Sequence, residues 1–100
     1  MGLIYKKSIL TDNLKQCYVC GTPYDIEIHH IYFGRNRKLA DKDGCVVPLC
    51  MYHHRGLLGV HGKKGQKLDT QLKQLCQKKW LEYYNKELED FIQRYRKNYL

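Results

Sequence analysis

The clearest periodicity in this chain lies between residues 24 and 31, where hydrophobic and polar side chains alternate. The two sides of this stretch hold, respectively, Ile26, Ile28 and His30, and Asp25, Glu27 and His29. A period of two is typical of a half-buried β-strand. The short apolar run from Cys45 to Leu49 predicts a second strand, and the two runs together predict a hairpin. Pro48 favours an edge position or the end of that strand, because proline donates no hydrogen bond.

The last third of the chain has a helical period instead. Its hydrophobic residues recur at spacings of three and four, and they are Leu72, Leu75, Cys76, Leu81, Tyr84, Leu88, Phe91, Ile92, Tyr95 and Tyr99. This pattern predicts an amphipathic helical segment over residues 68–98, capped at Asp69 or Thr70. The segment forms either one long helix or two helices broken near residues 84–85. We expect its apolar face to cover the core, with Cys76 buried there, and a projecting end to be able to pair with a second copy.

Three other segments complete the predicted architecture. Residues 1–16 mix short apolar runs with basic residues and predict a strand or an extended arm. Residues 33–44 are bracketed by glycines and are predicted to form a loop. Residues 50–55 predict a short helical turn, which the following glycines end.

The chain has 100 residues, which is enough for one small domain. A core of this size is marginal, and small domains often need a metal ion, disulfides or a partner. The sequence has no charged-then-apolar leader segment and no run of about 18 apolar residues. We therefore expect a cytoplasmic protein that does not span a membrane. In a reducing cytoplasm, its five cysteines favour metal binding over disulfides.

One stretch of the chain holds four of the five cysteines and all five histidines. Two pairs within it have the spacing of a structural zinc site, namely Cys17 with Cys20, and Cys50 with His53. Taken alone, the first pair would also fit a redox pair or two buried thiols. The second pair favours one zinc ion bound by all four side chains, within a metal core over residues 17–62.

Four histidines remain outside this zinc set: His29, His30, His54 and His61. Neighbouring residues of a strand point to opposite sides, so we expect His29 and His30 to divide two tasks. One would bind metal, and the other would take a proton from water. The alternative is a buried histidine beside a solvated one at the end of the strand. His54 is rotated by about 100° from His53 on a helix, so it points away from the zinc set. A second, imidazole-rich site is therefore predicted beside the first.

The chain carries a formal charge of +8, from 18 Lys and Arg against 10 Asp and Glu. An excess of this size favours a polyanionic partner such as nucleic acid, although a solvated charged surface gives the same composition. The basic residues do not segregate to one amphipathic face, which makes a membrane surface a poorer partner. The candidates for phosphate contacts are Arg35, Arg37, Lys38, Arg55, Lys63 and Lys64.

One combination of motifs is more specific than any of its parts. Its elements are a cysteine knuckle, a strand ending in His29-His30-Ile31, a basic loop, Val47-Pro48-Leu49-Cys50 and a turn containing His53-His54. The combination resembles the HNH (ββα-metal) endonucleases over residues 17–82. More narrowly, residues 48–56 followed by residues 60–62 are similar to small phage nucleases of the recombination-enhancement, RecA-dependent type.

The resemblance implies a small α+β, zinc-stabilised ββα-metal core with a β-hairpin, a short helix and a long C-terminal amphipathic helix. It implies that His30 is the general base and that His29 and His54 bind a catalytic divalent ion, which is Mg²⁺, Mn²⁺, Ni²⁺ or Zn²⁺. The matching structural zinc ligands are Cys17, Cys20, Cys50 and His53. His61 has no fixed role in the pattern, so it is either an additional metal ligand or a phosphate contact. Family members usually have Asn where this chain has Cys45, which leaves open what orients His30.

The expected function is metal-dependent hydrolysis of DNA phosphodiester bonds by a phage-encoded enzyme, acting as a monomer or a homodimer. A recombinase or another DNA-processing protein of the phage or its host is the expected protein partner. The main alternative is a non-catalytic zinc module that binds nucleic acid, for which the four zinc ligands suffice. A structural adaptor that acts through the C-terminal helix explains neither the histidines nor the charge.

Overall fold

The computed structural model describes residues 7–100. In that part of the chain an antiparallel pair of strands lies among α-helices, which makes the protein a small α+β domain. The strands are β1 (Ile26–His30) and β2 (Val46–Cys50), and the helices are α1 (Arg37–Asp43), α2 (Met51–Arg55), α3 (Gln66–Tyr83) and α4 (Leu88–Tyr95). Within the described residues, none of the helices is long and apolar enough to cross a membrane.

The predicted hairpin is confirmed. Strands β1 and β2 pair antiparallel, with Ile26 opposite Cys50 and His30 opposite Val46. Every residue of β2 is buried, whereas β1 is fully buried only at its last two residues, His29 and His30. The proline of β2 fits because each strand of a two-stranded sheet has one free edge. The hairpin therefore carries the histidine doublet into the interior of the domain.

The segment predicted to be a loop, residues 33–44, is helical over most of its length, and the loop prediction is wrong there. A 3-10 turn over Gly34–Asn36 leads into α1. Gly44 ends α1 with a φ of 80°, and its N–H bonds to carbonyls of the last turn. This is the left-handed cap that glycine favours, so Gly44 marks the end of a helix. The buried face of α1 consists of Ala40 and Asp43, which give no hydrophobic pattern in the sequence.

The C-terminal third forms two helices, α3 and α4, which is the predicted alternative of a break near residues 84–85. The break between them includes Asn85, which adopts a left-handed φ of 54°. Glu87 and Asp90 then form a reciprocal capping box that starts α4. The single long helix of the other alternative, and of the implied fold, is therefore divided.

The first of these helices, α3, begins at Gln66, which is earlier than predicted. Neither Asp69 nor Thr70 caps it, because Gly65 occupies the N-cap position without a side-chain bond. Asp69 lies instead in the first turn, where a negative charge interacts favourably with the helix dipole. A Cβ atom at Gly65 would collide with the carbonyl oxygen of Gly59, so only glycine fits at this close approach.

A buried carboxylate connects three helices. Asp43, at the end of α1, is 7% exposed and accepts hydrogen bonds from the indole N–H of Trp80 in α3 and the hydroxyl of Tyr95 in α4, at 2.9 and 2.8 Å. Arg94 binds both of its oxygens, at 2.6 and 2.8 Å. The hydroxyl of Tyr84 donates to the carbonyl oxygen of Asp43 at 2.6 Å. These bonds hold the two C-terminal helices against α1.

The predicted N-terminal strand or arm is not a strand over residues 7–16. The rest of that prediction falls on residues 1–6, which lie outside the described part of the chain. Ile9 is nevertheless buried, and its N–H donates to the carbonyl oxygen of Gly44 at 2.9 Å. This segment therefore packs on the end of α1.

Candidate metal centres

The structure brings together the four side chains of the predicted zinc set. The ligand atoms of Cys17, Cys20, Cys50 and His53 all lie within 4.8 Å of one another. The turn that holds Cys17 and Cys20 ends at Gly21. The φ of Gly21 is 80°, and its N–H donates to the carbonyl oxygen of Cys17 at 2.8 Å. The end of β2 and the first turn of α2 supply the other pair of ligands.

The distances within this cluster match a tetrahedral site. Zinc–sulfur bonds of about 2.3 Å place two sulfurs about 3.8 Å apart, and a sulfur and a nitrogen about 3.5 Å apart. The Sγ atoms of Cys20 and Cys50 are 3.9 Å apart. The Nδ1 atom of His53 lies 3.3 Å from Cys50 Sγ and 3.7 Å from Cys17 Sγ. A disulfide needs sulfurs about 2.05 Å apart, so the donors are arranged for an ion.

The backbone favours the thiolate form at one sulfur of this cluster, Cys17. Burial raises the pKa of the Cys17 thiol, but hydrogen bonds from the backbone of Cys20, Cys50 and Val19 outweigh burial and lower this pKa to about 6. A thiol with such a pKa is largely ionised at neutral pH, and the thiolate is the metal ligand. At Cys20 a hydrogen bond from the Thr22 backbone is outweighed by desolvation and by the Cys17 and Cys50 thiols, which raise the pKa of the Cys20 thiol.

A second cluster contains three of the four remaining histidines, His29, His54 and His61, with ligand atoms within 4.8 Å of one another. Their ring centres form a nearly equilateral triangle, with sides of 5.1, 5.1 and 4.9 Å. Strand β1, helix α2 and the loop after α2 each contribute one ring. His61 lies beside the two predicted metal ligands, His29 and His54. Of the two roles left open for it, this position favours that of a metal ligand over that of a phosphate contact.

The loop that follows α2 is folded tightly onto that helix. The N–H of Val60 donates to the carbonyl oxygen of His53, and the N–H of His61 donates to that of His54, both at 2.9 Å. A Cβ atom at Gly62 would collide with the carbonyl oxygen of Gly56. The glycines therefore allow the close return of the chain that brings His61 to the cluster.

His29 fits a metal ligand better than a core histidine. It is 2% exposed, and its Nε2 atom has no hydrogen-bond partner among the described residues. Leaving a buried polar atom unpaired costs about 1–3 kcal/mol. Burial, followed by the nearby His54 and His61, lowers the pKa of His29 to about 3, so its imidazole is neutral. A neutral ring with a free nitrogen lone pair is the form that binds a metal ion.

Glu27, for which the sequence predicted no role, orients the second ligand of this cluster, His54. Its carboxylate accepts a hydrogen bond from His54 Nδ1 at 2.7 Å, which leaves His54 Nε2 free to bind an ion. Arg55 holds the same carboxylate through two bonds, of 3.1 and 2.6 Å. Carboxylates behind metal-binding histidines commonly orient the ring in this way. A signal was present in the alternation of β1, which puts Glu27 on the same side as His29.

His30 lies outside the triangle but close to it. A cleft beside the triangle is lined by Ile28, His29, His30, Phe33, Arg37, His54 and His61. The His30 ring is 8% exposed, and its Nε2 lies 3.1 Å from Asp41 Oδ1. Arg37 Nε lies 3.5 Å from its Nδ1. The two rings of the doublet thus have different surroundings, because His29 joins the cluster and His30 contacts α1. The division of metal binding from proton transfer stays a prediction.

The six basic residues predicted to contact phosphate are all exposed, and they are Arg35, Arg37, Lys38, Arg55, Lys63 and Lys64. Arg37 also lines the histidine cleft. Lys73 was not predicted, yet its Nζ lies 4.4 Å from the centre of the Phe33 ring at the edge of the cleft. Its ion pair with Asp69, at 3.0 Å, holds it there.

The two remaining cysteines lie in the core. Cys76 is fully buried, as predicted, and burial raises the pKa of its thiol. Cys45, at the position where the resembled family has Asn, is also fully buried, and its Sγ lies 3.6 Å from the hydroxyl of Tyr95. Neither thiol belongs to the two metal clusters within the described residues.

Comparison of this chain with protein-family models, with curated proteins and with solved structures found no match. The donor atoms, distances and burial of the two clusters therefore indicate their chemistry. One cluster has three sulfurs and a nitrogen, and the other has three imidazoles beside a fourth.

Proposed function

We propose that this chain is a metal-dependent DNA endonuclease of the HNH (ββα-metal) type. One observation supports the proposal above all others. A triangle of three histidines, one of them buried with an unpartnered nitrogen, opens into a cleft that a fourth histidine also lines. A module that only binds nucleic acid does not require this second site.

The order of the elements supports the same proposal. Hairpin β1–β2 is followed directly by helix α2, and the triangle takes His29 from the hairpin and His54 from the helix. Strand–strand–helix around one ion is the arrangement that the resemblance implies. The cysteine cluster would hold the structural zinc, and it anchors the same helix through His53.

The second cluster would hold the catalytic divalent ion through His29, His54 and His61. When bound, such an ion stabilises the negative charge that develops on the phosphate and on the leaving oxygen. The donor set favours particular ions. Imidazole nitrogens suit Zn²⁺ and Ni²⁺, whereas Mg²⁺ prefers oxygen ligands. Of the four ions implied by the resemblance, we therefore favour Ni²⁺ and Zn²⁺ over Mg²⁺ and Mn²⁺.

His30 is the general base in this mechanism. Its ring lines the cleft beside the triangle, where a water molecule can approach a phosphate. The imidazole removes a proton from that water, the water oxygen attacks phosphorus, and the bond from phosphorus to the leaving oxygen breaks. Arg37 and the other exposed cations hold the DNA backbone on either side through phosphate contacts.

The alternative function is a zinc module that binds nucleic acid without cleaving it. The charge of +8 and the cysteine cluster agree with that function as well as with a nuclease. The unpartnered Nε2 of buried His29 favours the nuclease, because a binding module gains nothing from an imidazole triangle. The proposed partner is DNA for the nuclease and either DNA or RNA for the alternative module. A phage or host recombination protein as a further partner follows from the resemblance only, and a cytoplasmic location stays an expectation from the sequence.

A plasmid-nicking assay tests the nuclease. Zinc-loaded wild type is compared with His30→Ala, with Ni²⁺, Zn²⁺, Mn²⁺ or Mg²⁺ added in separate reactions. We expect His30→Ala to lower the cleavage rate by about 10²–10⁴-fold, the usual contribution of a general base. Its zinc content, circular dichroism and DNA affinity should equal those of the wild type.

Tyr24→Ala is the matched control, because Tyr24 is a ring of comparable size that is 74% exposed and outside both clusters. It should cut as fast as the wild type. Failure of the wild type to cut supercoiled, nicked, linear or single-stranded DNA with any of the four ions would contradict the proposal. Equal cleavage by wild type and His30→Ala would refute the role of His30.

A further inference from the structure

We propose that Asp41 is the positioning residue for His30. Its carboxylate accepts the Nε2–H of the imidazole, fixes the ring orientation, and so presents Nδ1 as the nitrogen that takes the proton. The inference rests on the proposed function for the role of His30, but the hydrogen bond and the tautomer can be tested without any cleavage.

The contact joins two different elements. Asp41 lies in α1 and His30 ends β1, and Oδ1 is 3.1 Å from Nε2. The two ends of the contact differ in environment, because the His30 side chain is 8% exposed and the Asp41 side chain is 50% exposed. A half-exposed carboxylate turned onto a buried ring resembles the partners that hold catalytic and metal-binding histidines in one orientation.

The neighbours of His30 assign its tautomer independently. An ionised carboxylate only accepts hydrogen bonds, so Nε2 must carry the hydrogen that Asp41 receives. The arginine guanidinium only donates, so Nδ1, 3.5 Å from Arg37 Nε, must present its lone pair. The acceptor Asp41 beside Nε2 and the donor Arg37 beside Nδ1 require the same tautomer, which carries its hydrogen on Nε2. That tautomer has its basic nitrogen on the side of Arg37, which lines the cleft with the histidine triangle. The Arg37 N–H occupies the Nδ1 lone pair in this structure, so the proposed mechanism requires Arg37 to turn to a DNA phosphate before water reaches Nδ1.

Helix α1 holds Asp41 in a fixed place. Two residues further on, Asp43 is bonded to Trp80, Arg94 and Tyr95. Immediately after the helix, the N–H of Cys45 donates to the carbonyl oxygen of Ala40 at 2.8 Å. The helix end is therefore anchored in the core, while Asp41 is directed at the base.

The carboxylate acts in two ways during proton transfer. It prevents the ring from rotating, so that Nδ1 stays aligned with the water. It also interacts favourably with the imidazolium that forms when His30 accepts the proton, as a carboxylate does behind other histidine bases. Both effects change the rate of the chemical step and leave DNA binding unaltered.

The test compares zinc-loaded wild type with Asp41→Ala, Asp41→Glu and the control Asp12→Asn. Asp12 is an exposed residue near the N-terminus of the described chain, so this control also removes one negative charge. Nitrogen-15 NMR of histidine-labelled protein reports which ring nitrogen carries hydrogen, and the spectrum of His30→Ala identifies the His30 signals. Nicking kinetics on the same samples give kcat and KM separately.

We expect the wild type to show the Nε2–H tautomer at His30, and Asp41→Ala to show a mixture of tautomers. Its kcat should fall by about 10–100-fold, the loss usual for removal of an outer carboxylate partner, with KM and zinc content unchanged. Asp41→Glu should recover part of kcat, and Asp12→Asn should match the wild type in both measurements.

An Nδ1–H tautomer in the wild type would overturn the proposal, and so would His30 nitrogen signals that do not respond to Asp41→Ala, whatever the change in kcat. Because the spectra need no DNA, they decide the role of Asp41 even where the wild type fails to cut. An inactive wild type contradicts the nuclease alone. Cleavage that is lost in His30→Ala and unchanged in Asp41→Ala contradicts the positioning role alone.

Discussion

His53 and His54 are neighbours in helix α2, yet their imidazoles belong to different metal clusters. His53 turns its Nδ1 towards the sulfurs of Cys17 and Cys50. His54 instead bonds its Nδ1 to Glu27 and leaves Nε2 for the histidine triangle. The rotation of about 100° between successive helical residues accounts for the separation. A single turn of helix therefore ties the geometry of one cluster to that of the other.

This arrangement predicts that loss of the structural zinc also destroys the second site. His53→Ala should lose zinc and unfold, because the zinc binding free energy of about 10–16 kcal/mol is comparable to the whole stability of a small domain. Elemental analysis and circular dichroism measure the two losses. His61→Ala is the matched control, since it removes an exposed imidazole of the other cluster and should keep one zinc and the full helix signal. A folded, zinc-free His53→Ala protein would contradict the prediction.

The histidine triangle should bind Ni²⁺ and Zn²⁺ in preference to Mg²⁺. In calorimetric titrations of protein already holding its structural zinc, we expect Ni²⁺ to bind and Mg²⁺ to give no measurable heat, because the ligands are nitrogens. His29→Gln should weaken the Ni²⁺ affinity by at least about tenfold. The Tyr24→Ala protein serves as control and should titrate as the wild type does. Tighter binding of Mg²⁺ than of Ni²⁺ would show that oxygen ligands dominate the site.

Without an ion in the triangle, the protein should lose stability as the pH falls. The pKa of His29 is about 3 in the folded protein, lowered first by burial, against an ordinary value of 6.5. Between these values the unfolded chain binds a proton that the folded chain excludes, so the free energy of unfolding falls as the pH is lowered from 6.5 towards 3. Urea unfolding of the one-zinc protein at pH 7 and pH 5 measures the difference.

In the same measurement, His29→Gln should show a smaller difference between pH 7 and pH 5, because glutamine takes up no proton. Comparing the two proteins separates the contribution of His29 from acid-induced loss of zinc, which acts on both. An identical pH dependence in wild type and His29→Gln would exclude His29 as the cause.

DNA binding should depend steeply on salt through the exposed cations. Each phosphate contact contributes about −0.9 to the slope of log K against log salt concentration, so Lys63→Ala with Lys64→Ala should reduce the slope by about 1.8. Fluorescence anisotropy with a labelled duplex gives the slope. The control pair is Lys15→Ala with Lys86→Ala, which removes two exposed lysines outside the proposed contact set. If both pairs change the slope equally, the loop after α2 has no special role in binding.

The buried carboxylate of Asp43 should matter for stability. Asp43→Ala leaves Arg94, Trp80 and Tyr95 without their shared acceptor, and removing one partner of a buried ion pair costs about 3–5 kcal/mol. Arg94 is 32% exposed, so water can solvate its guanidinium in the variant. We therefore expect the free energy of unfolding to fall by the low end of this range, about 3 kcal/mol. Urea denaturation measures it. Asp12→Ala, an exposed aspartate, should change the free energy of unfolding by less than about 0.5 kcal/mol.

The sequence predicted the hairpin, the cysteine cluster and two of the three histidines of the triangle because spacing carries that information directly. Two residues between paired ligands allow one ion to be shared, and alternation in β1 separates His29 from His30. The role of His61 was left open for a physical reason. Its position depends on how closely the loop after α2 folds back, with Gly56 against Gly62, and hydrophobic periodicity does not encode this backbone packing.

The two carboxylates that orient the histidines were not predicted. Glu27 shared a side of β1 with His29, so a signal existed, but its contact with His54 depends on where α2 packs. Asp41 gave no signal, since its segment was predicted to be a loop and only helix α1 directs it to His30. The sequence did not predict the burial of Asp43 either, because aspartate is rarely buried and the hydrogen-bond partners of Asp43 are 37 to 52 residues away along the chain.

The bond between Trp80 and Asp43 gives this protein a built-in optical reporter. Trp80 is the only tryptophan of the chain, and its indole N–H bonds to a carboxylate of a different helix in a 5% exposed position. Its emission therefore reports whether the C-terminal helices are docked on α1, with a shift to longer wavelength when water reaches the ring. Undocking during chelation, heating or DNA binding can be followed in real time without a label.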